Sequence, residues 1–467
     1  MSCDIAVIGL GTMGSNIARN FAHHNFQVAV YNRTYSKTEE LLKYNEPNIH
    51  PFKLIEELVA ALKTPKIILI LVTDSAVDYV ANPLVKLLQP GDVIIDGGNS
   101  NWKNTDRRQK EINPTGIHFV GLGVSGGEEG ALNGPSMMFG GEQEDWVKCK
   151  PLLEPISAKS AGGVPCVDYM GKGSSGHFVK MVHNAIEYAD MQLIAETYDI
   201  LKKLFHLDNN QIADVFHEWN KTVLESYLIE ITENVLRHKE GDKPIIDLIL
   251  DRAAQKGTGK WAAQDSFDFA VPTPGFSEAV NARIISSLKE ERVEASKQID
   301  LKPFDSKLIH SIIPITINDL EHGLYAAKIA CYAQGLSLIQ RASDQNHYDI
   351  DIAACARVWR GGCIIRARFL SEIADTYKEN TKNLMLIDHF KKALEDRIQG
   401  WRKIVAVTAF EGIPAPLYSS TLAYVDSYAS ENLPANLIQG LRDFFGAHTY
   451  ERVDKPGSFH TDWLEKP

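Results

Sequence analysis

The chain has 467 residues, 44% of them hydrophobic, enough to bury a large core and to build more than one domain. Its formal net charge of −11 argues against general binding to nucleic acid or anionic membranes, so an anionic substrate would need a local basic pocket. No apolar run reaches the roughly 18 residues a membrane span needs, and six scattered cysteines without CxxC or CxxH pairs suit a reducing compartment rather than a disulfide framework or structural zinc.

The N-terminus, "MSCDIAVIGLG", enters a strand almost at once and leaves no room for a signal peptide, so a soluble cytoplasmic protein is expected. "DIAVIG" (4–9) is a short apolar run, followed by Gly9-Leu10-Gly11-Thr12-Met13-Gly14 and the helical "SNIARNFAHH". "QVAVYN" (27–32), "KIILILV" (66–72), "DVIIDGG" (92–98), "IHFVGLGVSGG" (117–127) and "VPCVDYMG" (164–171) continue the strands. Strands alternating with helices predict a Rossmann-like, mostly parallel, doubly wound α/β sheet with ligands at the strands' carboxyl ends. A lone GxGxxG is weak, but here it follows a strand and opens a helix, the context in which free amides attract a pyrophosphate. Asp or Glu near the end of the second strand would bond ribose hydroxyls. This chain has Asn32-Arg33-Thr34 instead, donors suited to a 2′-phosphate, which predicts NADP rather than NAD.

From Ser174 the pattern becomes helical almost to residue 430, with Ser174 and Ser175 as candidate caps. "LDNNQIADVFHEWNKTVLESYLIEI" (207–231) echoes "YDIDIAACARVWRGGCIIRARFLSEI" (348–373), with Trp219 and Trp359 in register. An internal duplication is therefore expected within one large all-α domain. The last 35 residues or so read as a short helix and an extended tail. The expected division is a nucleotide domain at 1–173, a helical substrate and dimerisation domain at 174–432, and a tail at 433–467.

The first helix of the second region carries chemistry on one side. Lys180, Asn184 and Glu187 share a face, with His183 beside them. Lys180 and Glu187 are two turns apart, about 10.5 Å along the axis, so a small substrate fits between an amine and a carboxyl. Lysine serves as a base only if burial or positive charge lowers its pKa. On spacing alone, a solvated face with a partly buried histidine competes with a catalytic reading.

The helix "HFVKMVHNAIEYADMQLIAE" resembles the signature of the 6-phosphogluconate dehydrogenase family, the decarboxylating NADP enzymes of the oxidative pentose phosphate pathway and gluconate utilisation. "IDGGNS" (95–100), "GVSGGEEGA" (123–131), "GPSMM" (134–138), "QKGTGKW" (255–261), "SSLKEERV" (286–293) and "LRDFFGAHTYE" (441–451) resemble that family's segments in the same order. The resemblance implies Lys180 as general base and Glu187 as general acid, with His183 and Asn184 orienting the substrate. Further substrate contacts would be Asn99, Ser125, Gly126, Gly127, Tyr188, Lys256, Thr258 and Arg283. Arg442 and His448 would reach into the active site of a partner subunit, making a homodimer obligatory. NADP contacts would be Gly9, Leu10, Gly11, Thr12, Met13, Gly14, Asn32, Arg33, Thr34, Val72, Thr73, Asp74 and Asn99. Two positions depart from the family: Gly11 stands where Ala is common, and Thr73 where Lys is frequent, which removes a cation near the cofactor. The tail after Trp463 is also shorter than in many relatives.

The implied chemistry is oxidation of 6-phospho-D-gluconate at C3, with Lys180 taking the hydroxyl proton and a hydride passing to NADP⁺. The resulting β-keto acid loses CO₂, and Glu187 protonates C1 to give D-ribulose 5-phosphate. No metal is required, and no HExxH-like ligand cluster is present. Two rivals are a β-hydroxyacid dehydrogenase acting on a smaller unphosphorylated acid, from which the greater length and Lys256, Arg283 and Arg442 set this chain apart, and a non-catalytic NADP sensor, which would lack need of Lys180 and Glu187.

Overall fold

The computed structural model describes residues 2–378 and 381–464. The chain divides into two compact units, Met1–Thr421 and Leu422–Pro467.

The first unit opens with eight strands: β1 Ile5–Ile8, β2 Val28–Tyr31, β3 Ile49–Pro51, β4 Ile67–Ile70, β5 Val93–Asp96, β6 His118–Ser125, β7 Ser136–Gly140 and β8 Val167–Gly171. They form one sheet in the order β3-β2-β1-β4-β5-β6-β7-β8, parallel except for the β6–β7 pair. Two strands lie outside the expected series. β3 has three residues and includes His50 and Pro51, and β7 is a Met-rich pentapeptide, so neither presents the β-branched run that marks a buried strand. The sheet is buried on both faces. Ile5 and Val7 of β1 feed one apolar layer with Phe21 and Phe139, while Ala6 and Ile8 feed the other with Leu58 and Val77. Alternation along a pleated strand produces this two-layer core, and helices cover both sides.

After β8 the unit is helical. Ser175–Lys203, Ile317–Asn346 and Asp388–Glu411 are the long members, at 29, 30 and 24 residues. Ile317–Asn346 packs against both of the others. Ser174 occupies the N-cap position of the first, but its hydroxyl meets Tyr348 OH at 2.9 Å, and Ser175 Oγ bonds the Gly171 carbonyl. The expected side-chain cap is therefore replaced by tertiary hydrogen bonds. Further along, Glu196 accepts from the backbone amides of Leu417 and Tyr418, at 3.0 and 3.1 Å.

Both echoing segments fold as helix, loop and helix: Asn209–Trp219 with Tyr227–Arg237, and Ile352–Val358 with Phe369–Thr376. Their loops meet through an antiparallel bridge between Ser226 and Ala367, and Trp219 and Trp359 are both buried.

In the second unit the expected short helix is Ala435–Gly446. The segment after it is a small antiparallel pair, Tyr450–Glu451 with Ser458–Phe459, rather than plain extended chain. Its centre is the fully buried Asp443. That carboxylate accepts from Thr449 N–H (2.9 Å), His460 Nδ1 (2.9 Å), Thr461 N–H (3.1 Å) and Trp463 Nε1 (2.9 Å). Burial raises its pKa, but these donors outweigh it and hold the group at about 2.

Candidate active site

The carboxyl ends of β1, β2 and β4 open into a cleft of about 520 Å³ lined by Gly9, Asn32, Arg33, Thr34 and Val72. Gly9 is left-handed, with φ 97°, and a Cβ on Gly14 would fall 1.8 Å from the Gly9 carbonyl oxygen, so this turn requires both glycines. Gly11 has open space where a Cβ would lie, and an alanine would fit there. The helix Thr12–His23 begins at Gly11 without a side-chain cap, which leaves its first amides free. Asn32 Oδ1 accepts from Leu10 N–H at 2.9 Å, fixing the glycine turn to the end of β2. Uncapped amides beside a strand end that lacks a carboxylate and carries an exposed arginine fit a 2′-phosphorylated dinucleotide.

The other expected cofactor residues divide by environment. Leu10 is buried, Met13 packs on the core, and Thr12 is exposed at the helix start. Thr73 sits at the N-cap of Asp74–Val85. The Asp74 carboxylate is held by Arg108 Nη1 (2.9 Å) and Asn104 Nδ2 (2.6 Å). Asn99 is exposed on the loop after β5.

The helix Ser175–Lys203 lies against β6 and β7, and Phe178, Val182 and Ile186 are fully buried, as its apolar periodicity predicts. The face bearing Lys180, His183 and Asn184 is buried as well, at 6%, 0% and 7% exposure. The solvated-face reading fails on these values. Close approach is possible because β6 carries Gly123: a Cβ there would fall 2.4 Å from Lys180 Cβ.

Lys180 Nζ donates to Asn184 Oδ1 at 2.6 Å and lies 3.2 Å from His183 Nδ1. His183 Nδ1 is 3.0 Å from Asn184 Oδ1, and its Nε2 is 3.2 Å from Ser125 Oγ. Cys363 Sγ, 2.8 Å from the same Nε2, completes this cluster. The cysteine escaped sequence reasoning because its partner is 180 positions away and no motif joins them. Glu187 reaches to 3.9 Å from His183 Nδ1.

Burial is the largest influence on all three titratable groups. It lowers the Lys180 amine from the usual lysine value, with the Glu187 charge opposing. It drives the His183 imidazole well below its normal range, aided by Lys180. It raises the Glu187 carboxyl, while Lys180, Arg283 and Lys256 pull the other way. Burial thus pushes the amine toward its uncharged form and the carboxyl toward its protonated form, two turns apart.

Tyr188 joins this helix to the basic residues. The Arg283 guanidinium stacks 3.5 Å from its ring centroid, and the Lys256 N–H donates to its hydroxyl at 3.4 Å. Arg283 also donates to the Ala254 carbonyl (3.1 Å), and buried Thr258 starts the next helix after left-handed Gly257. Ser125 ends β6 in a buried position, followed by Gly126 and Gly127, both at positive φ. In the second unit, Arg442 is exposed and donates to Gln439 Oε1 (2.9 Å), and His448 is exposed with its ring 5.8 Å from that of Phe445.

Two family models match the chain: the NAD binding domain of 6-phosphogluconate dehydrogenase over residues 4–171, and the 6-phosphogluconate dehydrogenase C-terminal domain over residues 176–463. The chain is 47% identical, over 99% of both sequences, to an NADP(+)-dependent, decarboxylating 6-phosphogluconate dehydrogenase of Bacillus subtilis (strain 168). It is 45% identical, again over 99% of both, to the decarboxylating 6-phosphogluconate dehydrogenase of Escherichia coli (strain K12). Its fold is similar to that of Plasmodium falciparum 6-phosphogluconate dehydrogenase, with a TM-score of 0.93 and 41% identity over 99% of this chain and 100% of that one. This chain therefore belongs to the 6-phosphogluconate dehydrogenase family.

Proposed function

We propose that Lys180 is the general base and Glu187 the general acid in oxidative decarboxylation of 6-phospho-D-gluconate to D-ribulose 5-phosphate. The overall reaction is that of an NADP-dependent, decarboxylating oxidoreductase of the oxidative pentose phosphate pathway. The observation that carries the assignment is the buried amine pushed toward neutrality, two turns before a partly buried carboxyl pushed toward its protonated form.

Asn184 Oδ1 takes one N–H of Lys180 and holds the amine in a single orientation. The neutral Nζ accepts the proton of the C3 hydroxyl. The nicotinamide, when bound, supplies the hydride acceptor. Protonated Lys180 then stabilises the negative charge that develops as CO₂ leaves the β-keto acid. Glu187 delivers its proton to C1 of the enediol. Neutral His183 fixes Ser125, which with Gly126 and Gly127 receives the substrate carboxylate. Asn99 and Tyr188 border the sugar chain, and Lys256, Thr258 and Arg283 take the phosphate. Gly9 to Gly14 and Asn32, Arg33 and Thr34 hold the cofactor, with Val72, Thr73, Asp74 and Asn99 along its path.

The phosphate site is completed by Arg442 and His448 of the partner subunit in a homodimer. Leu437, Ile438, Leu441, Phe444 and Phe445 support this, because all five are exposed on the helix that carries Arg442. Residues 1–173, 174–432 and 433–467 serve respectively as nucleotide domain, substrate and dimerisation domain, and tail. We assign the reaction to the cytoplasm, a reading supported by six buried free thiols. Among the described residues no helix is long and apolar enough to cross a membrane.

The test follows reduced-nicotinamide absorbance with 6-phosphogluconate and either NADP⁺ or NAD⁺. Lys180→Ala and Arg442→Ala subunits, inactive alone, should regain activity when mixed, since one site of the heterodimer keeps both residues. Full activity of Lys180→Ala by itself would refute the base assignment, and failure to complement would refute the shared site.

A further inference from the structure

The same cleft holds a cation that no motif singled out. β2 and β3 run parallel with Val30 opposite Pro51, and the Phe52 N–H donates to the Val30 carbonyl at 3.0 Å. Continuing that register by two residues sets Lys53 beside Asn32, and both Arg33 and Lys53 line the cavity of about 520 Å³. Both are exposed, and among the described residues neither makes an ion pair or a side-chain hydrogen bond. The Lys53 ammonium rests 4.8 Å from the centroid of the Tyr35 ring, a cation–π contact that restrains a long side chain which would otherwise wander. Of the cavity's lining residues Glu56 alone carries a carboxylate, and it pairs with neither cation.

We propose that Lys53 is a second reader of the cofactor's 2′-phosphate, a specificity-determining residue that acts with Arg33. The inference rests on the reading of this cleft as the NADP site. A phosphate monoester carries about −1.5 to −2 charges near neutrality. One guanidinium matches only part of that charge, and a second cation, approaching from the neighbouring strand, matches the remainder. A nucleotide without the 2′-phosphate presents no such charge, so Lys53 adds discrimination rather than general affinity. Because the ammonium is exposed, the attraction is moderate and falls with salt.

Calorimetric titration of the full chain with NADP⁺, NAD⁺ and adenosine 2′-monophosphate tests this without turnover. Lys53→Gln should weaken NADP⁺ and adenosine 2′-monophosphate about five- to tenfold, leave NAD⁺ within about twofold, and lose most of its effect in high salt. Lys53→Arg should bind like the parent. Substitution of an exposed side chain leaves the fold intact, so the measurement is direct. A parent chain that prefers NADP⁺ by a ratio unchanged in Lys53→Gln overturns the role of Lys53 alone. Equal weakening of NADP⁺ and NAD⁺ does the same. A parent chain with no preference for NADP⁺ overturns the reading of the cleft and this inference with it.

Discussion

The cofactor cleft and the buried helix use the same residue type for opposite ends. At the mouth of the cleft, Arg33 and Lys53 stand in solvent, open to a phosphate. Far along the chain, Lys180 has only 6% of its surface exposed, and burial presses it toward the uncharged amine that proton abstraction needs. On the proposed roles, burial, not residue identity, divides a binding lysine from a basic one. A third lysine shows the remaining option: Lys328 is 1% exposed and lies 3.0 Å from the carboxylate of equally buried Asp190, charge held against charge inside the helical core.

The contrast is most exposed to failure at Lys180. Lys180→Met should lower kcat about 10³-fold or more while nucleotide binding stays within about twofold. The same variant should raise the thermal unfolding midpoint, because a desolvated amine gives way to a side chain suited to burial. A variant that unfolds at lower temperature would show that the amine stabilises the fold, and the contrast would break.

Glu187→Gln should cost about 10²-fold in kcat, and the pH profile sharpens the assignment. The base must be unprotonated, so activity falls as pH drops through the Lys180 value, which lies below the ordinary 10.5. The acid must be protonated, so activity falls as pH rises through the Glu187 value, which lies above the ordinary 4.5. Glu187→Gln should remove the alkaline limb and spare the acid one. The same signs govern stability. The depressed lysine contributes stability above its unfolded value that is lost as pH falls through its folded value. The raised carboxyl contributes stability below its unfolded value that is lost as pH rises through its folded value.

Lys328→Ala leaves Asp190 buried without its counter-charge and should destabilise the chain by about 3–5 kcal/mol in denaturant unfolding. Removing both charges, with Lys328→Met and Asp190→Leu together, should recover much of that loss. The smallest effect belongs to the cleft. Arg33→Gln should raise the KM for NADP⁺ about tenfold with kcat at saturation unchanged, since the guanidinium is solvated and distant from the reacting atoms.

These regions also differ in how openly the sequence displays them. The glycine turn at Gly9 to Gly14 and the Asn32-Arg33-Thr34 end of β2 are local, and local patterns survive translation into structure. Helical spacing put Lys180 and Glu187 on one face, but only the family resemblance gave them roles, and the burial of Lys180 was not legible. It depends on Gly123 in β6, a strand residue that only tertiary packing brings beneath the lysine. Cys363 and Lys53 were invisible for the same reason, one placed by a contact across 180 positions and the other by the register of β2 with β3. β3 and β7 were missed because three residues, or a run of methionines, carry too little strand signal against the sheet that recruits them. The hydroxyl of Ser174, assigned to capping, turned to Tyr348, where a tertiary partner outcompeted the local amides.

Asp443 carries a consequence for assembly. Four donors close around it within a single tail, so the helix, the hairpin and Trp463 are organised before any second copy arrives. In the proposed homodimer, a segment already folded would surrender little conformational freedom on docking, and subunit pairing would forfeit less entropy than a coupled folding event. With the carboxyl held at about 2, it stays an acceptor for these donors at mildly acidic pH.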